Sequence, residues 1–141
     1  MSRTYFTDRS LGKQFPAILA ASGLAVERHG DLFAPGGSDE EWLEHCGRQG
    51  RIAITHDQRI RFKANEREAV MRHQVSLLVI IGKRPFPEHA RNFVAMRDRI
   101  ENFLDRVGPP FIAKVYQPSP AELSRDASAK GNVQLWFPKQ K

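Results

Sequence analysis

Gly50-Arg51-Ile52-Ala53-Ile54-Thr55-His56-Asp57 is the stretch that decides the fold. A short apolar run with Gly before it and polar residues after it reads as a buried strand of a parallel sheet, covered on both faces. Asp57 then falls at the carboxyl end of that strand, where open α/β sheets bind their ligands. Gln58-Arg59-Ile60-Arg61-Phe62-Lys63 follows at once and puts three cations behind the carboxylate. Thr55-His56-Asp57 also suits the plain start of a turn, since Thr and Asp are ordinary turn residues.

Upstream, Arg3 to Thr7 reads as a first strand and ends at Asp8, so two strands finish in carboxylates. Leu11 to Gly23 has apolar residues at 11, 15, 18 and 19, a helical spacing, with Ser10 as the expected cap and Gly23 at its end. Pro16 is tolerated only in a first turn, which moves the expected start toward Gln14. Leu24 to Arg28 is a second strand, and His29 to Gly37 a loop. Ser38-Asp39-Glu40-Glu41 has capping-box spacing, with acids at the positive end of the helix dipole. The helix it opens turns Trp42, Leu43 and Cys46 to the core and stops at Gly47 or Gly50.

Downstream, Ala64 to His73 is a polar helix. Val75 to Gly82 is the most hydrophobic segment and β-branched enough for a central strand. Glu88 to Val107 is predicted as one long helix with Phe93, Val94, Ile100, Phe103, Leu104 and Val107 along a stripe, stopped by Pro109-Pro110. Phe111 to Tyr116 alternates as a half-buried strand placed at the sheet edge. Pro118 to Lys130 reads as a loosely packed polar segment, and Asn132 to Phe137 as a last strand with Val133, Leu135 and Phe137 on one side and Trp136 on the other. The βα alternation predicts a doubly wound, mostly parallel sheet with helices on both faces. The expected organisation is one domain over 1–117 and an extension over 118–141 that adds an edge strand.

A chain of 141 residues has room for one core. With 40% hydrophobic and 27% charged residues it has the composition of a soluble globular protein, and it has no apolar run near the roughly 20 residues that span a bilayer. No membrane partner is expected. Met1 to Phe6 lacks the apolar core of a secretory signal, and the single cysteine, Cys46, suits a reducing compartment, so the expected location is the cytoplasm. The net charge of +6, from 22 Lys and Arg against 16 Asp and Glu, favours polyanions such as nucleic acid.

If the first and third strands are neighbours, Asp8 and Asp57 meet at one rim, and the helix opened by Ser38 brings Asp39 and Glu40 toward them. Carboxylates gathered in one place take up protons or bind a cation, and an all-oxygen set suits a hard ion such as Mg²⁺ or Mn²⁺. Such an ion keeps waters and takes phosphate oxygens, which fits a phosphodiester substrate. Arg9, Lys13, Arg59, Arg61 and Lys63 are the residues expected to hold an RNA backbone. His29, His45, His73 and His89 are scattered, which argues against zinc. His56, without a Ser or Cys partner, reads as an orienting residue rather than a base. A dinucleotide domain wants Gly-x-Gly-x-x-Gly after the first strand, where only Gly12 stands.

Tyr5-Phe6-Thr7-Asp8-Arg9-Ser10-Leu11-Gly12, Ser38-Asp39-Glu40-Glu41-Trp42-Leu43 and Ile52-Ala53-Ile54-Thr55-His56-Asp57, in that order, resemble the PIN-like nucleases. They resemble more closely the VapC-like toxins of bacterial toxin-antitoxin pairs. The resemblance covers about 1–82 by motif, and Thr-x-Asp at the strand end is its most specific part. It implies a PIN-like three-layer α/β/α fold and a divalent-metal-dependent endoribonuclease. The acids it implies are Asp8, then Asp39 or Glu40, then Asp57, with Asp8, Asp39 and Asp57 as metal ligands. The expected partners are RNA, a cognate antitoxin and a second copy of the chain. The family pattern has a fourth acid or amide shortly after the third, and this chain has Arg59 and Arg61 there, with Asn65 and Glu66 as the nearest substitutes. The alternative the resemblance leaves open is a PIN-like module that binds RNA or a partner protein without cutting.

Overall fold

A computed structural model describes residues 3–139; the outermost residues of the expected 1–117 and 118–141 division lie outside the described residues. Strand β1 (Thr4–Thr7) leads through a 3-10 turn at Arg9–Leu11 into α1 (Gln14–Ala21), β2 (Ala25–Arg28) and the short α2 (His29–Leu32). Then come α3 (Asp39–Gln49), β3 (Ile52–Thr55), a second 3-10 turn at Gln58–Phe62, α4 (Ala64–Arg72) and β4 (Ser76–Ile80). The chain continues through α5 (Phe86–Ala95), α6 (Arg97–Arg106), β5 (Phe111–Tyr116), α7 (Pro120–Arg125) and β6 (Asn132–Phe137).

The six strands form one sheet in the order β2-β1-β3-β4-β5-β6, parallel up to β5 and antiparallel only between β5 and β6. Because β2 lies on one side of β1 and β3 on the other, the winding reverses direction between β1 and β3. In doubly wound sheets that reversal opens the ligand crevice at the strands' carboxyl ends.

Alternating strand residues feed two cores. On one face Tyr5, Ile54, Leu78 and Phe111 pack with Leu11, Phe15 and Leu19 from the first turn and α1, and with Ala90, Phe93, Ile100 and Phe103 from α5 and α6. On the other, Phe6, Ala53, Leu77 and Ile112 pack with Trp42, Leu43 and Cys46 of α3 and Ala69 and Val70 of α4. Burial on both faces is why β3 and β4 read as unbroken apolar runs. Phe6 stacks on Trp42 at 5.6 Å between ring centroids, and truncating it to Ala costs about 3–5 kcal/mol.

Several expectations are corrected. The stripe from Glu88 to Val107 is two helices, not one: the backbone leaves helical geometry at Met96 (φ −103°, ψ 16°), and both halves thereby turn their apolar residues onto the same core. Strand β5 is not at the edge; β6 takes that place beside it. In β6 a register shift leaves Trp136 as an extra residue between Leu135, opposite Ala113, and Phe137, opposite Ile112. Trp136 and Phe137 therefore both join the second core, while Val133 and Leu135 join the first. The polar segment after Pro118 folds as α7, closed by a capping box of Ser119 and Glu122. No helix among the described residues is long and apolar enough to cross a membrane.

Candidate active site

Both aspartates at the crevice arise from the same local rule. A carboxylate just after a strand accepts the backbone N–H two residues on and so starts a side-chain-capped turn. Asp8 does this with Ser10 N at 3.0 Å and Asp57 with Arg59 N at 3.1 Å, each capping a 3-10 turn. Parallel pairing of Thr7 with Ile54 brings the two strand ends side by side, and Asp8 N donates to Ile54 O at 3.1 Å.

Asp8 is only 8% exposed. Its Oδ1 accepts from the Ser10 hydroxyl at 2.5 Å and its Oδ2 from the Thr55 hydroxyl at 2.7 Å. Thr55 Oγ1 in turn accepts from Asp57 N at 3.0 Å, and Ser10 Oγ from His56 N at 2.8 Å. Two hydroxyls thus stitch the end of β1 to the end of β3. Burial raises the Asp8 carboxyl above the ordinary aspartate range, and the nearby Asp39 charge raises it further, against the lowering effect of the Ser10 and Thr55 hydrogen bonds.

Asp57 differs. Its side chain is 21% exposed, and it pairs with Arg59 Nε at 3.3 Å and Lys63 Nζ at 3.8 Å. Asp39, at the start of α3, accepts from Trp42 Nε1 at 3.0 Å. Its charge is felt by both Asp8 and His29. Glu40, one residue on, is not brought to the crevice: it pairs with Arg72 and lies 3.6 Å from His73 Nε2, on the α4 side. Gly47 permits that arrangement, because a Cβ there would sit 1.9 Å from His73 O, so only Gly lets α3 close onto the end of α4.

A cavity of about 230 Å³ adjoins Asp8, lined by Thr7, Arg9, Gly12, Lys13, Arg28, His29 and Gly30. Arg9 and Lys13 therefore line the cavity beside the buried carboxylate. His29 is 3% exposed, and its Nδ1 has no hydrogen-bond partner among the described residues. Burial and the Arg9 charge lower its pKa, so the ring is neutral at pH 7. A larger cavity, about 700 Å³ and lined by Arg3, Thr4 and Gln49 among others, lies at the opposite end of the strands and holds none of the candidate acids.

Three features of the site are not evident from the sequence alone. Ser10 does not cap α1, whose first turn follows Lys13; its hydroxyl serves Asp8 instead. Thr55 is the bridge between the two acids, and its signal was present in the Thr-x-Asp spacing. Arg28, a strand end, and His29, isolated in sequence from the other histidines, line the cavity because β2 lies next to β1. His56 is an orienting residue, with Nε2 on Gly82 O at 2.7 Å.

A family model described as a PIN-like domain matches residues 4–82, more than half of the chain and all three of the acid-bearing segments. The chain belongs to the PIN-like domain family. No curated protein and no solved structure matches it. The PIN-like fold is of the nuclease type, which supports a hydrolase kind of activity.

The residues fit a hard cation in one specific way. Among the described residues, no three His, Cys, Asp or Glu side chains converge on a point that one ion could occupy. Asp8 is buried, has no ion-pair partner among the described residues and feels the charge of Asp39, a repulsion that a divalent ion would relieve, whereas Asp57 already pairs with two cations. A hard ion held by one or two carboxylates, water and phosphate oxygens matches this donor set; a three-carboxylate cage does not.

Proposed function

We propose that this PIN-like protein is a divalent-metal-dependent endoribonuclease, acting as the toxin of a toxin-antitoxin pair. The observation that carries the proposal is Asp8: a buried carboxylate with no ion-pair partner among the described residues, at the reversal point of a PIN-like sheet, within the field of Asp39 and next to a cavity edged by Arg9 and Lys13.

In this reading Asp8 and Asp39 supply the oxygens for Mg²⁺ or Mn²⁺. The chemistry such an ion supplies when bound is polarisation of the phosphodiester and acidification of the attacking water. Ser10 and Thr55 fix the orientation of both Asp8 oxygens. Arg9 and Lys13 receive phosphates beside that carboxylate, while Arg59 and Lys63 pair with Asp57. RNA is the substrate, a cognate antitoxin and a second copy of the chain are the partners, and the cytoplasm is the compartment.

A second reading, a PIN-like module that binds RNA or a protein without cutting it, is favoured by one observation. Asp57 is neutralised by Arg59 and Lys63 where a ligand acid would be free, and neither Asn65 nor Glu66 makes a side-chain hydrogen bond or ion pair there among the described residues. Incubation of the purified chain with RNA separates the two. The first reading requires cleavage that needs Mn²⁺ or Mg²⁺, stops with chelator and is lost in Asp8→Asn. Cleavage that persists in chelator contradicts it, and metal-independent RNA binding without cleavage supports the second.

A further inference from the structure

The turn that follows Asp57 carries a surface the acids do not account for. Phe62 is 68% exposed, the most exposed of the large apolar side chains among the described residues, and it ends the 3-10 turn that Asp57 caps. Its ring meets that of Trp136 edge to face at 5.7 Å, although the two are far apart in sequence. The Arg61 guanidinium lies over both, 4.9 Å from the Phe62 centroid and 5.6 Å from that of Trp136, and Arg61 Nε is tied to Gln58 O at 3.1 Å. Arg67 stands 5.3 Å from the ring of Phe137, beside Trp136. The bulge in β6 is what turns Trp136 and Phe137 to this side of the sheet together.

An exposed aromatic ring has a hydrophobic cost in water, and here it is kept in place by a positioned guanidinium rather than covered by apolar side chains. Arg61 and Arg67 lie over the rings, with Arg59 and Lys63 beyond them on Asp57, so the charge-complementary occupant is a polyanion. A flat ring flanked by cations accepts an unpaired base on its face while the cations take the adjoining phosphates; a base paired within a duplex presents no such face. Lys63, next in sequence to Phe62, reaches Asp57 Oδ2 at 3.8 Å, so the patch is continuous with the crevice.

We propose that Phe62, with Arg61 and Trp136 behind it, is a stacking platform for one unpaired base of single-stranded RNA lying next to the bond at the Asp8 crevice. The choice of RNA as ligand rests on the function proposed above. The platform selects single strands over duplexes and is indifferent to sequence.

The test is binding, in chelator, of a short unstructured RNA and of the same RNA annealed to its complement, by otherwise intact protein carrying Asp8→Asn. Of the two tryptophans Trp42 is buried, so quenching of Trp136 fluorescence reports the platform. The single strand is expected to quench it. Phe62→Ala is expected to weaken single-strand binding at least about fivefold, Phe62→Tyr to retain it, and Phe62→Leu to behave like Ala, with the salt dependence unchanged in all three. Duplex binding is expected to be indifferent to these changes. Equal single-strand affinity in all the Phe62 variants, or a Leu variant as good as Phe, overturns the platform and leaves the patch to an apolar protein partner. Cleavage of the same RNA by the unsubstituted chain with Mn²⁺ is read separately: its absence, with the Phe62 series as expected, defeats the nuclease and keeps the platform.

Discussion

At the end of β1, Asp8 accepts the backbone N–H two residues on, and at the end of β3 Asp57 does the same, so both strands close in the same capped turn. Their surroundings then diverge. Asp8 is covered, held by two neutral hydroxyls and pushed toward protonation by burial and by Asp39; Asp57 is partly in water and paired with Arg59 and Lys63. A local motif can therefore fix where a carboxylate stands without fixing what it does. Packing decides that, among the described residues, Asp8 has no ion-pair partner while Asp57 has two.

The sharpest way to break this contrast is to remove each charge in turn. Asp8→Asn is expected to lower metal-dependent RNA cleavage by at least about 100-fold, since even a residue that only orients a metal ligand is worth 10–100-fold. Asp57→Asn keeps the cap, because Asn caps as well as Asp, and is expected to cost about tenfold or less. Single-turnover rates on one RNA check both, and equal losses would erase the distinction.

Removing Ser10 tests the stitch between the strands. Ser10→Ala deletes the hydroxyl that donates to Asp8 and accepts from His56 N, leaving a buried acceptor and a donor short of partners. A loss of about 1–3 kcal/mol in urea unfolding is expected, with a larger fall in Mn²⁺ affinity than in RNA affinity.

The raised Asp8 carboxyl gives a pH signature in metal-free protein. Between the ordinary aspartate value near 3.9 and the raised native value, the folded state holds more protons than the unfolded state. Stability attributable to this group is thus complete below the lower value and falls as pH rises through the higher one, by at most about 1.4 kcal/mol per pH unit. In chelator, the stability of Asp8→Asn relative to the unsubstituted chain is expected to improve as pH rises through that window, and to be flat with pH below it. The smallest effect is expected at Glu40: Glu40→Gln removes an exposed pair with Arg72, costs no more than about 1 kcal/mol and leaves cleavage unchanged.

The residues explain what could be read in advance. The sheet was legible because β3 and β4 are apolar on both faces, and α3 because Ser38 and Glu41 stand at capping spacing; Glu41 does accept from Ser38 N at 3.0 Å. That Asp8 and Asp57 follow neighbouring strand ends is implied once β1 and β3 are adjacent. What escaped depends on partners distant in the chain. Glu40 and Asp39 are equivalent as letters, and only the packing of α3 on α4 assigns the first to Arg72 and leaves the second near Asp8. The break at Met96 follows no Pro or Gly, and the apolar stripe runs straight through it. Strand β5 alternates like an edge strand because Lys114 and Tyr116 are half-buried, yet β6 covers it.

The central claim is that Asp8, rather than Asp57, is where the charge of a divalent ion is needed. A crystal of the protein soaked in Mn²⁺ and read by anomalous scattering tests it directly: the account predicts a peak in coordination distance of the Asp8 carboxylate, on the side facing Asp39. A peak on Asp57 alone, or none near Asp8 when Mn²⁺ supports RNA cleavage in solution, contradicts it.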